Sequence, residues 1–174
     1  MANCTLNKNL LRGSQCDYSL PEVKDIYLAD YASVNATRSY SCDSAGTEVT
    51  AIASGVTFYH IEPAKNSVTF TDELVVEDNG NKYRTHTLTF NVIGKYDKDM
   101  VCVLDGLSLG RYIAVVVTAD GQWLMLGAGA GLEATAATNQ GGGDTNGMTI
   151  TLAANVTESA TPLSETAIAT VKGE

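Results

Sequence analysis

Histidine, cysteine and basic residues are all scarce in this chain, and each scarcity removes a class of function. Two histidines, His60 and His86, and four cysteines, Cys4, Cys16, Cys42 and Cys102, occur in 174 residues. None of the cysteines stands at the C-x-x-C spacing of a zinc site or redox pair, and neither histidine has a carboxylate or cysteine at ligand spacing. No metal and no cofactor are expected, reduced thiols are expected, and both histidines read as ordinary strand residues. Only 11 lysines and arginines stand against 20 acidic residues, a net charge of −9. Lys8 and Arg12 are isolated, while Lys82 and Arg84 are offset by Glu73, Glu77 and Asp78 close by. Without a basic patch nothing neutralises a phosphate backbone, so sequence-specific nucleic-acid binding is not expected.

Long apolar runs are missing too. No stretch approaches the roughly 18 apolar residues of a membrane-spanning helix, so no membrane partner is expected. The segment MANCTLNKNLLRG has no apolar core of an export signal, which leaves little weight on the Asn-x-Thr sequons at Asn3, Asn35 and Asn155. Catalytic signatures are absent as well: there is no G-x-S-x-G and no H-E-x-x-H. DTNG at Asp144 lacks the later ligands of a calcium loop. Asp72 and Glu73 are adjacent on a strand pattern and point to opposite faces, so they form no carboxylate pair. The glycines of GQWLMLGAGAGLE, Gly127, Gly129 and Gly131, miss the dinucleotide spacing, because Leu132 stands where the third glycine belongs. No Lys-Ser or Lys-Thr follows them, so they read as a connection between strands. An enzyme is the least favoured class.

What is present is β-forming sequence. Threonine, valine and alanine are abundant, aromatics make up 7%, and 44% hydrophobic residues suffice for one core. The reading is a single mainly β domain over 1–155 with an N-terminal arm over 1–20, followed by a C-terminal arm or tail over 156–174. A first strand is expected at Lys24 to Tyr31, then a loop from Ala32 to Thr47. EVTAIAS and VTFYHIEP alternate about Gly55 as a hairpin or bulged pair. KYDKDMVCVLDGL places Tyr96, Met100, Val103 and Leu107 at helical spacing, one short amphipathic helix. RYIAVVVTADGQWLMLG reads as a hairpin turning at Asp120-Gly121 with arms buried on both faces. LEATAAT and GMTITLAA read as two further strands.

The strongest local signal is SVTFTDELVVEDNGNKYRTHTLTFNVI, two long alternating runs joined at Asn79-Gly80. A two-residue type I′ turn there would place Val76 opposite Tyr83, Leu74 opposite Thr85 and Phe70 opposite Thr89. Phe70, Leu74, Val76 and Tyr83 would then form a packing face. Glu73, Glu77, Lys82, Arg84 and His86 would share the opposite, water-facing side. A lone two-stranded arm this long is marginal in water, and edge pairing with identical copies would satisfy its backbone.

The order of elements resembles the tail tube, or major tail, proteins of long-tailed bacteriophages. The likeness covers roughly Leu6 to Leu152. It is densest in CDYSLPEVKDIYLADYASV, in VTFYHIEPAKNSVTFTDELVVEDNGNKYRTHTLTF, and in RYIAVVVTADGQWLMLGAGAGLEATAATNQGGGDTNGMTITL. The loop from Ala32 to Thr47 and the tail beyond Val156 depart from the family pattern. The resemblance implies a β-sandwich or barrel-like fold with a long hairpin and a short helix. It also implies a non-enzymatic virion component, assembled in the bacterial host cytoplasm, that forms stacked rings of six. DNA would pass through without specific binding, and other phage tail proteins would be partners. On that reading Glu73, Glu77, Lys82, Arg84 and His86 face the lumen, and GAGAGLE is a corner between sandwich strands. Alternatives are a tail terminator, baseplate or capsid decoration protein, or a β-sandwich binding module, which should show an exposed aromatic cluster.

Overall fold

A computed structural model describes residues 22–34, 40–93, 98–141 and 147–173. In chain order the elements are β1 Val23–Asp30, α1 Tyr31–Val34, β2 Tyr40–Cys42, β3 Val49–Ile52, β4 Tyr59–Ile61, β5 Thr69–Val76 and β6 Lys82–Val92. They continue with α2 Lys98–Leu109, β7 Arg111–Thr118, β8 Trp123–Leu126, β9 Leu132–Gln140, β10 Gly147–Val156, β11 Thr161–Pro162 and α3 Glu165–Lys172. The chain is mainly β and its principal element is one large antiparallel sheet. The expected N-terminal arm and DTNG loop lie outside the described residues.

The large sheet folds back on itself. One half runs β4-β1-β7-β8-β11, the other β9-β10-β6-β5, and they meet where Arg111 and Tyr112 pair with Glu133 and Leu132. Alternation along the strands explains the layering. Ile26 and Leu28 of β1, Ala114 and Val116 of β7, and Leu126 of β8 face Leu88, Phe90, Ile150 and Leu152 across a shared core, which Leu104 and Leu107 of α2 help close. The intervening residues Ala29, Ile113, Val115 and Met125 point the other way, into a second core with Val49 and Ile52 of β3 and Ala167 and Val171 of α3. The first half is therefore buried on both sides, as the continuous apolar runs of β7 and β8 predict. The second half has one packed face and one bare one.

Three expectations change. The segment from Val156 is not a loose arm: Thr161 and Pro162 pair with Met125 and Leu124, and α3 docks on the second core. Its helix is locally specified, with the Ser164 hydroxyl capping Ala167 N–H and Gly173 closing the C-terminus in a left-handed conformation. EVTAIAS and VTFYHIEP do not pair with each other. β3 pairs with β2, which forms inside the expected loop, and β4 pairs with β1. In α2, Leu104 rather than Val103 joins Leu107 in the core, and Val103 is exposed.

The most consequential change is the register of the long hairpin. Val76 pairs with Lys82, Leu74 with Arg84, Asp72 with His86 and Phe70 with Leu88, a slip of one residue from the expected pairing. The turn is the reason. Glu77 O accepts from Gly80 N–H and Glu77 N–H donates to Asn81 O. Gly80 has a positive φ of 85° while Asn79 does not. That is a type I turn at Asp78-Asn79 followed by a glycine bulge, stabilised by Asn79 Oδ1 accepting from Asn81 N–H. β7 and β8 are joined by the same device, with Thr118 bonding Gly121 and Gln122.

Glycine geometry makes a graded prediction. A Cβ at Gly80 meets no neighbour, so Gly80→Ala should cost only the strain of its positive φ, about 1–2 kcal/mol. At Gly131, also with positive φ, a Cβ would sit 2.5 Å from Arg111 Cγ and 2.6 Å from Tyr31 Cδ2. Gly131→Ala should therefore cost clearly more, and urea titration of the two variants ranks them.

Candidate functional site

Two features of the second sheet half can carry function: its bare outer face with free edges, and a buried polar cluster at one end of its inner face.

The slipped register splits the expected face groups. Phe70, Asp72, Leu74 and Val76 now share the inner face with Lys82, Arg84, His86, Leu88 and Phe90. Tyr83 and Glu73 lie on the outer face, and Glu77 sits in the turn. The expected packing set Phe70, Leu74, Val76 and Tyr83 is therefore not one face. The expected lumen set Glu73, Glu77, Lys82, Arg84 and His86 is not one face either. His86 is 2% exposed, whereas Leu74 and Val76 are 54% and 57% exposed, because the hairpin tip carries its inner face beyond the sandwich body.

Inner-face neighbours of His86 build a polar network. Asp72 Oδ1 accepts from Arg84 Nε at 2.5 Å, and Asp72 Oδ2 accepts from Ala160 N–H at 2.9 Å. His86 Nδ1 accepts from Gly127 N–H at 3.1 Å. That bond requires an unprotonated Nδ1, so the proton of neutral His86 resides on Nε2. Nε2 stands 3.3 Å from Asp72 Oδ1, too poorly aligned to count as a hydrogen bond. One buried cluster thus ties together β5, β6, the glycine corner after β8 and the connection after β10. The opening glycine of GAGAG serves the network with its amide and contacts no nucleotide.

Burial pushes the His86 pKa below the ordinary histidine value; Asp72 opposes that shift and Arg84 adds to it. Burial would raise Asp72, but the Arg84 and Ala160 hydrogen bonds and the nearby positive charges outweigh it and hold the carboxyl below its usual range. Both shifts act in the same direction on stability. The unfolded chain protonates His86 first, so stability falls as pH drops below about 6.5. It falls again as pH drops below about 3.9, where Asp72 protonates in the unfolded chain before it does so in the folded one. Urea midpoints at pH 7.5, 6 and 5 should decline, and His86→Gln should flatten that decline.

Outward from the same strands lies a threonine surface. Thr69, Thr89 and Thr151 form one row across β5, β6 and β10, and Thr71 and Thr87 begin the next. Thr89 and Thr151 share a 3.0 Å hydroxyl contact, and the Thr85 hydroxyl donates to Asn155 at 3.0 Å. Glu133, which shares this face, is held by Arg111. Both margins of this half are open. β5 is the last strand, and β9 beyond Glu133 has no strand partner on its outer side among the described residues. Although α2 runs beside β9, every residue from Thr135 to Gln140 is exposed.

On the opposite sheet half, Tyr27 stacks between His60 and Trp123 at centroid distances of 4.7 and 5.4 Å, and Lys172 Nζ lies 5.5 Å from the Trp123 ring. His60 also meets Asp25 at 2.9 Å. The three rings form one stacked group on this half. Among the described residues no group of three or more histidine, cysteine or acidic side chains is placed to hold a metal, and no helix is long and apolar enough to cross a membrane.

Sequence reasoning missed Asp72 and Gly127 as neighbours of His86, and Ala160 as a partner of Asp72. The only signal was a charged residue at an alternate position with Phe70, Leu88 and Phe90, readable once the register was known. No family model matches this chain, and no curated protein or solved structure matches it either.

Proposed function

We infer that the chain is a non-enzymatic structural subunit that assembles with identical copies into closed rings stacked as a phage tail tube, a conduit for DNA in the virion. The observation that carries this reading is the β9-β10-β6-β5 half, with an open edge on each side and a bare outer face. Its four strands alternate in direction, so β5 of one copy laid against β9 of the next continues the antiparallel pattern without a break. Such a contact is heterologous and makes a ring when its rotation closes. The exposed Leu74 and Val76 give the projecting hairpin an apolar strip for a neighbouring copy to cover.

Turned inward, the threonine face would line the lumen. Its hydroxyls hold water, and with Arg111 committed to Glu133 it offers no free cation among the described residues to grip phosphate. The lumen on this reading is a hydroxyl-lined wall carrying Glu73, not the charged wall of Lys82, Arg84 and His86. Electron microscopy of the purified protein at high concentration should show rings or tubes. A strict monomer across the whole concentration range would overturn the reading.

A further inference from the structure

We propose that His86 is the tongue of a proton-operated latch: protonation of its Nδ1 releases the glycine corner Gly127–Gly131 from the long hairpin, while the Asp72 contact to Ala160 stays closed. The inference concerns the fold of the single chain and stands independently of ring assembly.

The geometry allows one chemical outcome on protonation. Neutral His86 accepts from Gly127 N–H at Nδ1. Imidazolium carries protons on both nitrogens, so Nδ1–H and Gly127 N–H become two donors aimed at each other. That bond must break, and one group must move. His86 cannot rotate away readily, since it is 2% exposed and lies in β6 between Asp72 of β5 and Ala154 of β10. The new charge also holds the ring where it is. Its Nε2 already stands 3.3 Å from Asp72 Oδ1, and the attraction to that carboxylate strengthens on protonation. Gly127 belongs to a turn closed by Gly131 N–H to Gly127 O and fastened outside by Tyr31 Oη to Gly129 O. The corner lies between β8 and β9, outside the ladder that holds His86 on both sides, so it is the corner that gives way.

The charged groups facing His86 come from three elements. Asp72 on β5 favours the proton, Arg84 on β6 opposes it, and Glu158, on the connection after β10, favours it. Asp72 cannot simply take over the orphaned amide, because it already serves Arg84 and Ala160. The corner therefore opens while the carboxylate keeps the C-terminal connection in place.

Amide hydrogen exchange on the full chain, corrected for the intrinsic pH dependence of exchange, tests this between pH 7.5 and 5. Protection of the Gly127 amide should fall about tenfold per pH unit once His86 titrates, with Ala160 unchanged. In His86→Gln the amide oxygen can accept from Gly127 and the amide nitrogen can face Asp72, so Gly127 should stay protected at both pH values. Nitrogen-15 shifts of wild-type His86 at pH 7.5 should report the Nε2–H tautomer. A pH-independent Gly127 amide overturns the latch, as does equal acceleration in His86→Gln. Opening of Ala160 in parallel means global loosening and overturns it too. Should His86→Gln fail to fold, the wild-type tautomer decides, and an Nδ1–H form sinks the proposal.

Discussion

Asp72→Ala should destabilise the chain by about 3 kcal/mol, because it leaves Arg84 and the Ala160 amide without an acceptor and removes the charge beside His86. Two donors bond that carboxylate, Arg84 Nε and Ala160 N–H, and His86 Nε2 stands 3.3 Å from it. Arg84 is 29% exposed and recovers part of its loss from water. His86, at 2% exposure, loses the facing carboxylate without gaining water in its place. The cost therefore falls at the low end of the range for breaking a buried ion pair. Asp72→Asn keeps an acceptor oxygen and should cost about half as much. Urea unfolding gives both values, and the melting temperature should drop by roughly 2–4 °C per kcal/mol in a chain of this size. A loss below about 1 kcal/mol for Asp72→Ala would mean that the cluster is hydrated and contributes little.

Leu74→Pro should abolish assembly and leave the subunit folded. Backbone direction along β5 is set by the turn: Glu77 bonds Asn81 across the hairpin, so residues of its parity, including Val75, turn their N–H toward β6. Leu74 has the opposite parity and turns its N–H toward the free edge. Proline there removes an outward donor and places its ring in the path of an incoming strand, without breaking the ladder to β6. Val75→Pro is the matched opposite, since it removes a donor to β6 and should destabilise the fold itself by about 3 kcal/mol. Particle counts in electron microscopy read the first effect, and urea midpoints read the second. Rings from Leu74→Pro in wild-type yield would show that the β5 edge takes no part in assembly.

Much of the fold follows from local chemistry. The continuous apolar arms of β7 and β8 require burial on both sides, and they lie between two cores. LEATAAT and GMTITLAA extend into β9 and β10, paired antiparallel. The helix expected at 95–107 forms as Lys98–Leu109. The signal for α3 is present in PLSETAIATVKGE, with Ser164 before the helix, Lys172 in its last turn and Gly173 after it. Its apolar stripe, Ala167 and Val171, is too short to show as periodicity.

The chain by itself determined where the long strands run and near which residues they turn, because alternation and the Asn-Gly and Asp-Gly pairs are local, whereas the short β2 and β11 carry no such signal. Tertiary structure decided which side of the long hairpin faces inward. Asn-Gly can serve either a two-residue turn with both residues at positive φ or a type I turn with only the glycine so placed. The two differ by one residue of register, and in a strand one residue reverses every side chain. Packing of Phe70 beside Leu88 against the core of Leu88, Phe90, Ile150 and Leu152 selects the second turn. With that choice His86, Arg84 and Asp72 go inside together, and the threonines go out.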